Sequence, residues 1–135
     1  MMEKDYSNIK GYNILITGAA GHLGKEFSEC LASLKANLIL LDKDKKKLLA
    51  LEKSLQKKNN ILVSSYNVDL EKISQRKKTI NTIKKKFQSI DIIINNAAFI
   101  GASNLKNWST SFENQSIETW NRAIEVNLTS VFHIC

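Results

Sequence analysis

At 135 residues the chain has the length of one domain and can bury a real core. No stretch approaches a membrane span, and the polar start MMEKDYSNIK lacks the apolar core of a signal peptide, so a soluble, cytoplasmic protein without membrane partners is expected. The formal charge of +7 raises the question of nucleic acid. Most of the lysines, however, fall between Lys43 and Lys86, on two expected helices where they interrupt apolar positions at helical spacing. Solvated helix faces explain that pattern, and no aromatic-interleaved basic stripe accompanies it, so no nucleic-acid partner is expected.

The first apolar run, Tyr12 to Ile16, leads directly into TGAAGHLG at residues 17 to 24, and a helix-patterned stretch follows from Leu23 to Ala36. Strand, glycine turn and helix in that order make the layout of a dinucleotide-binding βαβ unit. Gly18 allows a sharp exit from the strand, Gly21 keeps a Cβ away from an approaching pyrophosphate, and Gly24 lets the helix lie close on the sheet. Thr17 opens the motif, and His22 and Leu23 fall in the first helical turn, whose amides and dipole favour an anion without a basic side chain. Leu23, Phe27, Leu31 and Leu34 mark the expected apolar side of this helix, with Cys30 among them. The other cysteine is Cys135, and the pair implies neither a disulfide framework nor a metal cluster.

The second run, Asn37 to Leu41, closes on Asp42, 18 residues after Gly24. A carboxylate there accepts both hydroxyls of an adenosine ribose and repels a 2′-phosphate, which favours NAD over NADP. A helix is expected from Asp44 to Lys58 with Leu48, Leu49, Leu51 and Leu55, then a strand from Ile61 to Tyr66. A helix from Glu71 to Gln88 presents Ile73, Ile80, Ile83 and Phe87, and a strand runs from Asp91 to Ile94. Three of the four apolar runs lack polar alternation, as in strands buried on both faces. The repeated alternation of strand and helix predicts an α/β fold: a Rossmann-type doubly wound parallel sheet in the order 3-2-1-4 with right-handed crossovers. With no proline and no internal repeat, no domain boundary is expected within residues 1–135.

After Ile94 the pattern changes. Asn95, Asn96, Ala97 and Ala98 end the fourth strand, a polar segment with Trp108 and Phe112 follows, and a last helix runs from about Ser116 through Trp120, Ile124, Leu128, Val131 and Phe132. Ser116 is an acceptable helix start.

Taken together, TGAAGHLG, LLDKD, YNVDL and INNAA, with WNRAIEVNLTSVF behind them, resemble the short-chain dehydrogenase/reductase family over essentially the whole chain. The resemblance implies that Gly18, Gly21 and Gly24 surround the pyrophosphate and that Asp42 holds the adenosine ribose. It implies that Asp69 contacts the adenine amino group, with Val68 against the ring and Leu70 beside it. Asn96, Ala97 and Ala98 stabilise the sheet and pass beside the cofactor, and Asn127 helps hold an active-site water relay. Asp69 also suits a helix N-cap, and Asn127 a solvated helix face. The spacing TGxxGxxG, with His22 where single-domain members place glycine, is shared with the family's sugar-nucleotide epimerase branch.

The family transfers hydride with a serine after strand five and a tyrosine and lysine four residues apart, where the tyrosine exchanges a proton with a carbonyl or alcohol. The chain ends before those positions; Tyr6 and Lys10 have the spacing but precede strand one and match by chance. The expectation is therefore the NAD-binding half of a secondary-alcohol or ketone oxidoreductase, truncated after its fourth helix and homo-oligomeric when complete. The segment Phe99 to Gln115 leaves the carboxyl end of strand four and is long for a βα connection, so it is expected to form part of a substrate-side wall. It also resembles that of members associated with bacterial surface-sugar and flagellin modification, implying a sugar-derived substrate. The rival readings are a non-catalytic nucleotide-binding module and an epimerase-like member.

Overall fold

The computed structural model describes residues 8–100 and 108–135. Tyr6 and residues 101–107 of the expected substrate-side wall lie outside them. Four parallel strands, β1 (Asn13–Thr17), β2 (Asn37–Asp42), β3 (Val63–Asn67) and β4 (Ile92–Asn95), form one sheet in the order β3-β2-β1-β4. The order is the one expected from the alternation of strand and helix. Leu15 pairs with Ile39 on one side and Ile93 on the other, so apolar side chains stack in rows across the sheet.

Alternation along each strand sends neighbours to opposite faces, and both faces are covered. Ile14, Ile16, Leu38 and Leu40 pack with Leu48, Leu51 and Leu55 of α2 (Lys45–Lys58) and Ala32 of α1 (His22–Ser33). Leu15, Ile39 and Leu41 pack on the other face with Ile83 of α3 (Ile73–Lys86) and with Phe87. The last helix continues as α4 (Ile117–Ile124), one π turn (Glu125–Thr129) and α5 (Ser130–Ile134), with αR backbone through both junctions. Ser116 caps it as expected, its Oγ accepting from the Thr119 amide at 3.1 Å. The lysines of α2 and α3 are exposed, as solvated faces require.

Two expectations are corrected. The buried side of α1 is Gly24, Ser28 and Ala32, whereas Leu23, Phe27 and Leu34 are exposed, as is Cys30. The helix is drawn so close to the turn before it that only small residues fit beneath: a Cβ on Gly24 would lie 2.7 Å from Ala19 Cα. The second concerns helix ends. Helix α1 stops at Ser33 rather than Ala36 because Lys35 turns left-handed at φ 64°, and the amides of Lys35 and Ala36 return to the carbonyls of Ala32 and Leu31. That is a Schellman closure made without glycine. Helix α3 likewise starts at Ile73 and ends at Lys86, inside the expected span.

Gly11 and Gly18 both have positive φ, 79° and 64°, but a Cβ on Gly11 meets nothing within 4 Å while one on Gly18 would sit 2.9 Å from Ala97 Cα. Gly11→Ala should therefore cost only the left-handed penalty of about 1–2 kcal/mol. Gly18→Ala should cost distinctly more, because backbone must move. Paired chemical melts check this, and equal losses would show that close approach at residue 18 is not limiting.

Candidate functional site

All four strands run in one direction, so their carboxyl ends gather at one edge of the sheet. Between β1 and β4 the chain leaves in opposite directions, and a crevice opens there, as in open α/β sheets generally. The cleft measures about 610 Å³, within the range of small-molecule sites. Its walls come from four connections: Gly18 to Leu23 after β1, Asp42 and Lys43 at the end of β2, Val68 to Glu71 after β3, and Asn96 to Ile100 after β4. Val126 of the π turn completes it.

The turn after β1 and the exit from β4 are locked together. Thr17 Oγ1 accepts from the amides of Asn96 (3.1 Å) and Ala97 (3.0 Å), and Asn96 Nδ2 donates to the carbonyls of Thr17 and Gly18, both at 3.1 Å. Thr17 is 1% exposed and forms no part of the cleft wall; it positions the wall. Gly24 likewise lies beneath the turn. Helix α1 begins after Gly21 with no side-chain cap and no acid in its first turn, so the first-turn amides of its positive end are left to the cleft. His22 and Leu23, both exposed, line the cleft there.

Asp42 stands at the end of β2 as expected. Its Oδ2 accepts from the Ala20 amide at 2.9 Å and its Oδ1 from the Asp44 amide at 2.8 Å, which ties the acid to the glycine turn. Asn67 steadies the same corner by donating to the carbonyls of Asp42 and Lys43. Val68 and Leu70 give the next wall an apolar surface. Asp69 lines the cleft and also accepts from the Glu71 amide at 3.1 Å; it caps the turn ahead of α3 rather than the helix itself, whose N-cap is Lys72.

Asn127 is outside the cleft wall. Its carboxamide clamps one residue of that wall, accepting from Phe99 N at 2.8 Å and donating to Phe99 O at 3.1 Å. Phe99 is 6% exposed, and Lys43 Nζ (5.3 Å) and the Arg122 guanidinium (5.5 Å) both lie within cation–π range of its ring. It packs with Ala123, Val126 and Trp108, so Trp108 belongs to a small core, while Phe112 is 86% exposed. Of the expected substrate-side wall only Phe99 and Ile100 line the cleft among the described residues. Reading the sequence missed the pairing of Glu71 with Arg122, a bidentate contact at 2.7 and 3.1 Å. Residues 51 positions apart leave no local signal.

The hydrogen bond from Arg122 holds the Glu71 carboxyl below the usual carboxylate range against some desolvation, with the charges of Arg122, Lys43 and Lys72 adding to it. The native carboxyl thus binds a proton less readily than the unfolded one. Its contribution is complete above the ordinary carboxylate range and is lost as pH falls through the lowered native value. Glu71→Gln should flatten the acid limb of the stability–pH curve, measured by melts between about pH 6 and about pH 3. An unchanged limb would mean that the pair contributes nothing.

The comparisons with known proteins agree with this geometry. The family model described as short chain dehydrogenase matches residues 12–135. An uncharacterized oxidoreductase of Staphylococcus saprophyticus is 32% identical over 127 residues, covering 94% of this chain and 48% of its own. Among solved structures, L-sorbose reductase from Gluconobacter frateurii, complexed with NADPH and L-sorbose, superposes with a TM-score of 0.84 at 20% identity, over 95% of this chain and 46% of that one. A short chain dehydrogenase/reductase from Burkholderia phymatum in complex with NAD superposes with a TM-score of 0.78 at 25% identity, over 94% and 42%. The chain thus spans about half the length of the relatives it matches. With its sheet order, its glycine turn locked to the exit of β4 and the family match over nearly all its length, the chain belongs to the short-chain dehydrogenase/reductase family of oxidoreductases, whose members bind nicotinamide dinucleotides.

Proposed function

We propose that the cleft binds a nicotinamide dinucleotide, NAD in preference to NADP. We further propose that these residues are the cofactor-binding half of an oxidoreductase acting on a secondary alcohol or ketone. The observation that carries the reading is the Asp42 carboxylate in the cleft wall, aimed by the amides of Ala20 and Asp44. An acid so placed has lone pairs for ribose hydroxyls and a charge that repels a 2′-phosphate.

The cradle fits such a cofactor. Gly18 lets the turn lie against the exit of β4, and Gly21 leaves no Cβ at the uncapped end of α1, where the first-turn amides would hold a pyrophosphate. Val68 and Leu70 offer apolar contact to an adenine ring, and Asp69 an acceptor for its amino group. Asn96, Ala97 and Ala98 would pass along the other side. When bound, the cofactor supplies or takes the hydride; the work of this chain is to hold it and to exclude water along its length. Asn127 contributes by fixing the backbone of Phe99. The proton-transfer residues and the substrate, for which a sugar derivative is proposed, belong to the remainder of the enzyme. The apolar stripe of Trp120, Leu128 and Phe132 is exposed and suits a second copy.

Titration with both cofactors tests the reading. NAD should bind more tightly by roughly ten-fold to one hundred-fold, the equivalent of about 1–3 kcal/mol of carboxylate–phosphate repulsion, with Lys43 offsetting part of it. Asp42→Ala should narrow the gap. Equal or tighter binding of NADP by the unaltered protein would overturn the preference.

A further inference from the structure

The largest fully buried side chain among the described residues is a charged one, Arg76 of α3, at 1% exposure. Nothing in the helix pattern announces it, since it sits one turn from Ile73, which is 54% exposed, and takes the inward place an aliphatic residue would fill. A guanidinium stays charged in any protein environment and has to be matched by acceptors when water is excluded. Arg76 has three. Its Nη1 donates to the carbonyl of Leu70, its Nη2 pairs with Glu125 Oε1 at 2.6 Å, and its Nε donates to His133 Nδ1 at 3.1 Å. The last bond requires a lone pair on Nδ1, which places the imidazole proton on Nε2.

The positions of these partners matter. Glu125 is the first residue of the π turn and His133 lies in α5 beyond it, so one rigid fork grips the last helix on both sides of the inserted residue. A π turn is a strained insertion in an α-helix; its collapse to regular α geometry would rotate the residues that follow by about 100°, the angle per residue of an α-helix. Asn127 sits inside that turn, and its hold on both backbone groups of Phe99 depends on the direction in which it points. The third partner, Leu70, is in the opposite cleft wall.

We propose that Arg76 is the positioning residue of the cleft: by bridging Glu125 and His133 it keeps the π turn formed and Asn127 aimed at Phe99, and through Leu70 it sets the facing wall at a matched distance. The proposal rests on the cofactor reading only for its consequence in binding. The geometry itself is independent of any ligand.

The direct test is the Asn127 side-chain amide, observed by NMR in the full chain without cofactor. In the unaltered protein the proton that Nδ2 donates to Phe99 O should be shifted from its solvent-exposed position and protected from exchange. Arg76→Met, close in volume and uncharged, should move that signal to a solvent-like position and remove its protection, and Arg76→Lys should not restore it, since one ammonium cannot span three acceptors. Where Arg76→Met fails to fold, Glu125→Gln decides by the same readout, with a smaller shift in the same direction. A folded variant whose Asn127 signals match the unaltered protein overturns the proposal. NAD affinity should fall at least about ten-fold in the folded Arg76 variants. If the unaltered protein binds no NAD, the cofactor reading fails while the amide signals still decide the role of Arg76.

Discussion

Two pieces of backbone that are 79 residues apart in the chain touch at Gly18, where the turn after β1 passes under the exit of β4 with no room for a Cβ between them. The cleft depends on that contact. Thr17 and Asn96 close it with four hydrogen bonds, each joining a side chain to a main-chain group. Such bonds specify register as well as energy, because a shift of one residue would leave buried polar groups without partners. With β1 and β4 held at their carboxyl ends, the crevice between them has a defined width, and the start of α1 points into it.

The remaining walls are built by the same device, a short polar side chain spent on neighbouring backbone. Asp42 ties β2 to the glycine turn, Asn67 ties β3 to β2, Asp69 shapes the approach to α3, and Asn127 holds Phe99. Ligand contact is thereby left mostly to main-chain amides, small residues and apolar surface. A site of this kind is pre-organised, and binding need order few side chains. The two arginine pairs, one of them reaching Glu71 in the cleft wall itself, join α3 and its preceding turn to the last helix.

How much of this could be read from the residues depended on how local the cause was. The strands were legible because unbroken runs such as Asn37 to Leu41 have one use in a compact α/β chain, and their order followed from the alternation with helices. The glycine turn and Asp42 were legible because each has a distinct mechanical task. Hydrophobicity alone points to the wrong side of α1, because close approach at Gly24 selects small residues and leaves Leu23 and Phe27 outward. The end of α1 was hidden because lysine, not glycine, takes the left-handed position. Arg76, the π turn and the Glu71–Arg122 pair are products of tertiary contact across tens of residues and carry no periodic signature.

We propose that a dinucleotide phosphate is held by backbone at the start of α1, in a cleft framed by the exits of β1 and β4. Amide chemical shifts recorded while ADP-ribose is added measure this residue by residue. The largest changes are expected at Gly21, His22 and Leu23, with further changes at Ala20, Val68 and Ala97. No saturable change, or changes centred away from the carboxyl edge of the sheet, would contradict it.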